Sequence, residues 1–248
     1  GGDPPDPSSH PRCTDPTVEA SRAYYADVAG ALCRHPRVNA RSPLKVVHSS
    51  MHGVSDRWAA EAFAAFGLRP FIAVPEQREP HPEFPTVEFP NPEEEGALRL
   101  ALDLADAEGA ELVLANDPDG DRLAAAERQP DGSWHTFSGD QIGVLLGHWL
   151  WCQWREANPS ADPSRAVMMA SVVSSRMLEA MAKQEGFRYE DTLPGFKWMG
   201  NRAHELKAQG LDVLFAYEEA IGFGPGDAVF EKDGLSAAAL FAEMAGLL

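Results

Sequence analysis

Cysteine is scarce in this chain: three residues, Cys13, Cys33 and Cys152, with no C-x-x-C pair among them. An odd, scattered set argues against a disulfide framework and against structural zinc, and it favours a reducing, cytoplasmic compartment. The eight histidines include no H-E-x-x-H pair. Long apolar runs are missing too, and nothing approaches the roughly 18 consecutive apolar residues that a membrane-spanning helix needs. Basic residues are in deficit, 21 Lys plus Arg against 38 Asp plus Glu, for a formal net charge of −17. So acidic a body repels nucleic acid and anionic lipid. It does not exclude phosphorylated metabolites, because a bound cation or a few placed Arg and Lys reverse the sign locally. What is present is ordinary for a folded protein, with 44% hydrophobic and 24% charged residues. Disorder of the whole chain is thereby excluded, and 248 residues make one large domain or two smaller ones.

The first 16 residues hold five prolines and no apolar period, the opposite of a signal peptide. They are expected to be a linker or tail, with further protein upstream. After them β-like and helix-like runs alternate. Strands are expected at Leu44–His48, Phe71–Val74, Glu111–Ala115 and Leu123–Glu127, with a hairpin turn at Asp131-Gly132. Helices are expected at Ser55–Phe66, at Glu93–Glu108 with an acidic first turn, and from Ile142 to Trp154 behind a capping box at Ser138–Gln141. The stretch Asn158–Ser164 (NPSADPS) is the best internal boundary. Beyond it a strand (Val167–Val173), a helix (Ser175–Glu185) and a short strand (Phe187–Glu190) lead into a loop, Leu193–Gly200. A helix to Gln209, a strand at Val213–Tyr217, a Gly-rich loop and a final helix complete the chain. Alternation on both sides of the boundary predicts two consecutive small α/β domains, 17–157 and 158–248, with mixed sheets flanked by helices.

The sharpest chemical feature is Asp117-Pro118-Asp119-Gly120-Asp121-Arg122, directly after a hydrophobic strand. Three carboxylates two residues apart converge on one hard cation if Pro and Gly curl the loop, and the carboxyl end of a strand is where open α/β sheets bind ligands. Oxygen-only ligands suit Mg²⁺ or Ca²⁺ rather than zinc. The alternative is a solvated acidic turn. A calcium EF-hand is excluded, since its glycine and glutamate places hold Arg122 and Arg128. A phosphatase with an aspartyl nucleophile also places D-x-D-G after a strand, and stays as a second reading. Lys197, within Gly195-Phe196-Lys197-Trp198-Met199-Gly200, could offer a cation to phosphate or a proton, or be a surface lysine beside packed aromatics. Glu218 and Glu219, at the end of another strand, could accept hydrogen bonds from vicinal sugar hydroxyls, or form an exposed acidic turn.

Taken together these clusters resemble the α-D-phosphohexomutases, and most of all their phosphoglucomutase/phosphopentomutase branch, which includes glucose-1,6-bisphosphate synthases. The resemblance rests on His52-Gly53-Val54, Phe89-Pro90-Asn91-Pro92-Glu93-Glu94, Asp117–Arg122, Gly195–Arg202, Glu218-Glu219-Ala220-Ile221-Gly222 and Lys232-Asp233-Gly234, in order over about residues 40–248. It implies that Asp117, Asp119 and Asp121 hold Mg²⁺, that Arg122 and Lys197 take part in catalysis, and that Gly195, Lys197, Glu218 and Glu219 meet the phosphosugar. Glucose 1,6-bisphosphate would prime the intact enzyme. Many relatives carry Glu-Glu-Ser-x-Gly where this chain has Ala220, so a pentose phosphate would fit as well as a hexose. The family's phosphoserine loop (T/S-A-S-H-N-P) and phosphate clamp (R-x-S-G-T) are not matched, and Ser8-Ser9-His10-Pro11 has linker-like surroundings. The chain is therefore expected to be the second and third domains of a four-domain Mg²⁺-dependent mutase. Alone it is expected to lack turnover, or to be a non-catalytic metal- or phosphosugar-binding fragment.

Overall fold

The computed structural model describes residues 12–248. The Ser8-Ser9-His10-Pro11 segment and most of the expected linker lie outside the described residues. Two helices that the sequence pattern did not reveal come first, α1 (Thr17–Leu32) and α2 (Pro36–Asn39). In α1 only Val28 and Leu32 are buried, and the partly buried residues packed beside them are Tyr24, Tyr25, Ala29 and Ala31, which gives a weak apolar period.

The first sheet then forms from β1 (Val46–Ser49), α3 (Ser55–Ala65), β2 (Ile72–Ala73), α4 (Arg99–Glu108), β3 (Leu112–Asn116), β4 (Leu123–Arg128) and β5 (Trp134–Thr136). Its strand order is β2-β1-β3-β4-β5, with β1 parallel to both β2 and β3 while β4 and β5 run antiparallel. β1 and β3 are buried along their whole length, which is why they read as unbroken runs rather than alternating ones. One expectation fails here: the helix does not begin at Glu93. Residues 93–98 are turns, Gly96 takes φ +79°, and α4 starts at Arg99 without an acidic first turn. The triple glutamate belongs to the long loop that precedes it.

The second half contains α5 (Gly139–Ala157), β6 (Ala166–Ser171), α6 (Met177–Glu185), β7 (Arg188–Thr192), α7 (Phe196–Ala208), β8 (Asp212–Glu218), β9 (Gly222–Pro225) and α8 (Gly234–Leu247). Its sheet has the order β7-β6-β8-β9, parallel except for β9. The expected capping box is formed: the Ser138 hydroxyl accepts from Gln141 N–H, and the Gln141 side chain accepts from Ser138 N–H. Two loops turn out to be regular structure. Phe196–Gly200 is the first part of α7, and the Gly-rich stretch after β8 is strand β9, whose short residues hid its pattern. The architecture is thus α/β, two mixed sheets flanked by helices.

Helices α5 and α8 join the two halves. α8 is buried on nearly every side, as its uniformly apolar composition requires, because it packs on α2, α3 and α5 and on strands of both sheets. α5 carries glycine at every fourth place over 139, 143 and 147. A Cβ on Gly143 would stand 2.4 Å from the Tyr217 ring, so the stripe lets α5 lie close on β8. One continuous core runs from Phe63 and Leu114 through Ile142 and Leu240 to Met168 and Phe215.

Candidate metal and sugar site

β3 delivers Asn116 to the edge of the first sheet, and the chain reverses through 117–122 into β4. Gly120, at φ +75°, donates to the Asp117 carbonyl at 3.0 Å and makes the turn. One carboxylate oxygen from each of Asp117, Asp119 and Asp121 lies within 4.8 Å of the others. Asp117 is buried, Asp121 half-buried and Asp119 exposed.

Buried groups hold this loop from below. Asn116 donates to the Arg122 carbonyl at 2.7 Å, and its amide oxygen accepts from His48 Nε2 at 2.8 Å. Because that oxygen only accepts, His48 carries its proton on Nε2, which leaves Nδ1 unpartnered. Complete burial pushes the His48 imidazole below its ordinary pKa. His52 stands four residues on, an interval that on a helix would suit zinc, but β1 ends between them. The His52 ring pairs with Thr86 instead, at 2.7 Å. Two glycines let neighbours close on the loop. A Cβ on Gly53 would sit 2.2 Å from Pro118, and one on Gly234 would sit 2.4 Å from the Arg122 carbonyl. Val54 N–H donates to Pro118 at 2.9 Å, and the turn before it holds Met51 and His52 at positive φ, +46° and +60°.

The carboxylates are electrostatically crowded. Burial, followed by the charge of Asp117, raises Asp119 above the usual carboxylate range. Asp121 is also raised, mainly by burial, against the opposing hydrogen bond from Lys232. Arg122 binds Asp117 twice, through its backbone N–H at 3.0 Å and its Nε at 2.6 Å. The Arg122 Nη1 reaches Asn91 at 3.3 Å, so the Phe89–Glu94 motif folds against the aspartate loop. Burial raises Glu93 above the usual carboxylate range, with Arg122 opposing only part of the rise. An all-oxygen donor set whose members resist joint ionisation fits a hard divalent cation.

The glutamate pair faces this loop across the junction of the halves. Glu218 and Gly222 pair at the mouth of the β8–β9 hairpin, with Ile221 at φ +52°. Arg122 forms a bridge with Gly222, and Leu123 N–H donates to the Ile221 carbonyl at 3.0 Å. A Cβ on Gly139 would stand 1.9 Å from the Glu219 carbonyl, so α5 also presses on the hairpin. Glu218 accepts from the N–H of Gly195, which ties the start of α7 to the hairpin. One oxygen of Glu219 accepts from Ser171 at 2.9 Å and Ser174 at 3.0 Å. Lys197 is exposed on the first turn of α7, beside Trp198. From the second half, Lys232 crosses to Asp121 at 3.0 Å.

The structure thus brings the aspartates, Arg122 and, through Gly222, the hairpin together, with Gly195 attached through Glu218. Sequence reasoning passed over His48, Asn116, Ser171 and Ser174. His48 sits inside an apolar strand, Ser171 ends another and Ser174 lies just past it, so no local signal marked them. Asn91 and Lys232 were visible only as parts of motifs.

Fold and loop define a class: a two-sheet α/β protein with a carboxylate loop at a strand end, facing an acidic hairpin. Residues 4–132 match the model of phosphoglucomutase/phosphomannomutase alpha/beta/alpha domain II, and residues 138–246 match that of domain III. The chain belongs to the phosphoglucomutase/phosphomannomutase family. The two matches meet between 132 and 138, ahead of α5, whereas the sequence placed its boundary after that helix. The chain is 50% identical over 242 residues to the phosphopentomutase of Homo sapiens, covering 97% of this chain and 39% of that protein. It is 47% identical over 235 residues to the glucose 1,6-bisphosphate synthase of Mus musculus, covering 94% and 38%. Among solved structures, a putative phosphomannomutase from Thermus thermophilus aligns with a TM-score of 0.71 at 22% identity, over 91% of this chain and 47% of that one. The chain therefore spans about two fifths of the length of the curated relatives that it matches.

Proposed function

We propose that these residues form the metal- and sugar-binding part of a Mg²⁺-dependent phosphosugar mutase of the phosphopentomutase and glucose 1,6-bisphosphate synthase kind. The observation that carries the reading is the convergence of the three aspartate oxygens within 4.8 Å, on a loop bridged directly to the Glu218–Gly222 hairpin. Asp117, Asp119 and Asp121 would hold the ion, whose chemistry is to neutralise phosphoryl oxygens. Arg122, fixed by Asp117 and Asn91, presents its guanidinium toward the phosphoryl group. Glu218 accepts sugar hydroxyls with the oxygen that Gly195 does not occupy, while Lys197 meets the phosphosugar or moves a proton. Glu219 spends one oxygen on Ser171 and Ser174, so it contributes by holding the hairpin as well as by any contact with sugar. The phosphoserine that carries the group between sugars lies, in this reading, outside these residues.

An aspartyl phosphatase would need Asp117 as a free nucleophile. Asp117 is 2% exposed and each of its oxygens accepts one hydrogen bond from Arg122, which leaves a lone pair for a cation but not the open approach that attack on a phosphoryl group needs. The geometry disfavours that reading.

The test offers the 248-residue chain glucose 1-phosphate and ribose 1-phosphate with Mg²⁺ and a trace of glucose 1,6-bisphosphate. Saturation-transfer NMR is expected to show binding that weakens in Glu218→Gln, without formation of the 6- or 5-phosphate. Turnover that is lost in Asp119→Ala would overturn the placement of the phosphoryl carrier. Release of inorganic phosphate that is lost in Asp117→Asn would instead establish the phosphatase.

A further inference from the structure

Lys232 stands just before the N-cap of α8, where Asp233 accepts from the N–H groups of Leu235 and Ser236, both at 3.1 Å. That cap fixes the direction in which residue 232 leaves the helix. Its side chain runs across Gly222, where a Cβ would come within 2.6 Å of Lys232 Cδ, and over the Phe196 ring, 5.7 Å from its centroid. The ammonium ends 3.0 Å from Asp121, with the two side chains only 22% and 30% exposed. Glu231 is a second partner at 3.6 Å, and Glu218 faces the same ammonium. The path is shaped by an absent side chain, a ring and a helix cap, so the lysine is aimed at Asp121.

Asp121 is one of three residues assigned to the metal in the reading above, and the present inference rests on that reading. An ammonium and a divalent cation cannot share one carboxylate oxygen without strong repulsion. We propose that Lys232 is a built-in competitor for the metal loop. It neutralises Asp121 in the metal-free protein and withdraws when the cation enters. The second sheet's side of the molecule thereby sets the metal affinity of the first. The withdrawn ammonium lies beside Glu218, so loading the metal changes the electrostatic partner of the sugar hairpin. By reciprocity, a ligand that draws Lys232 toward the hairpin tightens the metal.

The experiment is a Mn²⁺ titration of the 248-residue chain by electron paramagnetic resonance at low salt, comparing wild type with Lys232→Met, Lys232→Arg and Asp119→Ala. Lys232→Met is expected to bind Mn²⁺ about two- to fivefold more tightly, the range that a partly exposed ion pair converts to. The gain should shrink as salt rises, because the contact is partly open to solvent. Lys232→Arg should stay near wild type, and Asp119→Ala should bind more weakly. A second measurement is independent of any variant's folding. Mg²⁺ should shift the Lys232 side-chain carbon resonance of the wild-type chain. An unchanged or weaker affinity in a folded Lys232→Met, with Asp119→Ala still weakened, would overturn the competitor while leaving the metal loop standing. So would a Lys232 resonance that ignores saturating Mg²⁺. Equal affinity in Asp119→Ala and wild type would remove the metal loop and the competitor together.

Discussion

Replacing Asn116 by alanine tests how the aspartate loop is held. The side chain is fully buried and joins two groups, the buried His48 Nε2–H at 2.8 Å and the part-buried Arg122 carbonyl at 2.7 Å. Alanine breaks both bonds at once. The His48 ring, already without a partner at Nδ1, would then be unsatisfied at both nitrogens. Two fully buried polar groups left unpaired would cost about 2–6 kcal/mol, and because the Arg122 carbonyl is only part-buried the loss should be about 2–5 kcal/mol. Against a typical total of roughly 5–15 kcal/mol, that is a large fraction. Urea denaturation followed by circular dichroism reads the midpoint directly. Mn²⁺ affinity should fall as well, because the Arg122 carbonyl fixes the last turn of the loop. Histidine at position 48 adds a pH signature. Burial lowers its pKa, so the unfolded chain binds the extra proton first as pH falls below about 6.5. Stability should decline with acidification below that point, and this dependence should weaken in His48→Gln. A loss under about 0.5 kcal/mol in Asn116→Ala, with unchanged metal affinity, would refute the claim that this pair supports the site.

Further outcomes follow from single contacts. Ser138→Ala removes half of the capping box of α5 and should cost about 1 kcal/mol, visible as a lower thermal midpoint. Gly143→Ala forces a Cβ into the Tyr217 ring and should cost about 1–3 kcal/mol by overpacking. Ser174→Ala frees Glu219 on one side; phosphosugar binding by NMR should weaken while Mn²⁺ affinity stays unchanged. Saturating Mg²⁺, at about a hundredfold over its dissociation constant, should stabilise the wild-type chain by about 2.7 kcal/mol in urea, and Asp119→Ala by much less.

Much of the fold was legible because its strands and helices differ in period. β1 and β3 read as apolar runs, and the cap at Ser138 announced α5. α1 escaped because it buries only Val28 and Leu32, and the half-buried residues beside them are alanines and tyrosines. β9 escaped because Gly-Phe-Gly-Pro looks like a loop until β8 lies beside it. Glu93-Glu94-Glu95 imitated a helix start, since acidic residues favour both first turns and solvated loops. In the candidate site, the convergence of the three aspartates was legible from their spacing. The fate of Glu219 was not, because Ser171 and Ser174 meet it only through the fold, 48 and 45 residues away. For the same reason no local pattern could show Lys232 resting on Asp121.

The central claim is that Asp117, Asp119 and Asp121 hold one divalent cation beside the sugar hairpin. Anomalous diffraction from crystals of the chain soaked in Mn²⁺ tests it most directly. The account predicts one strong peak, about 2.0–2.3 Å from an oxygen of each aspartate, with the Lys232 ammonium moved away from Asp121. A loop left empty at saturating Mn²⁺, or a peak held elsewhere with Lys232 still on Asp121, would contradict it.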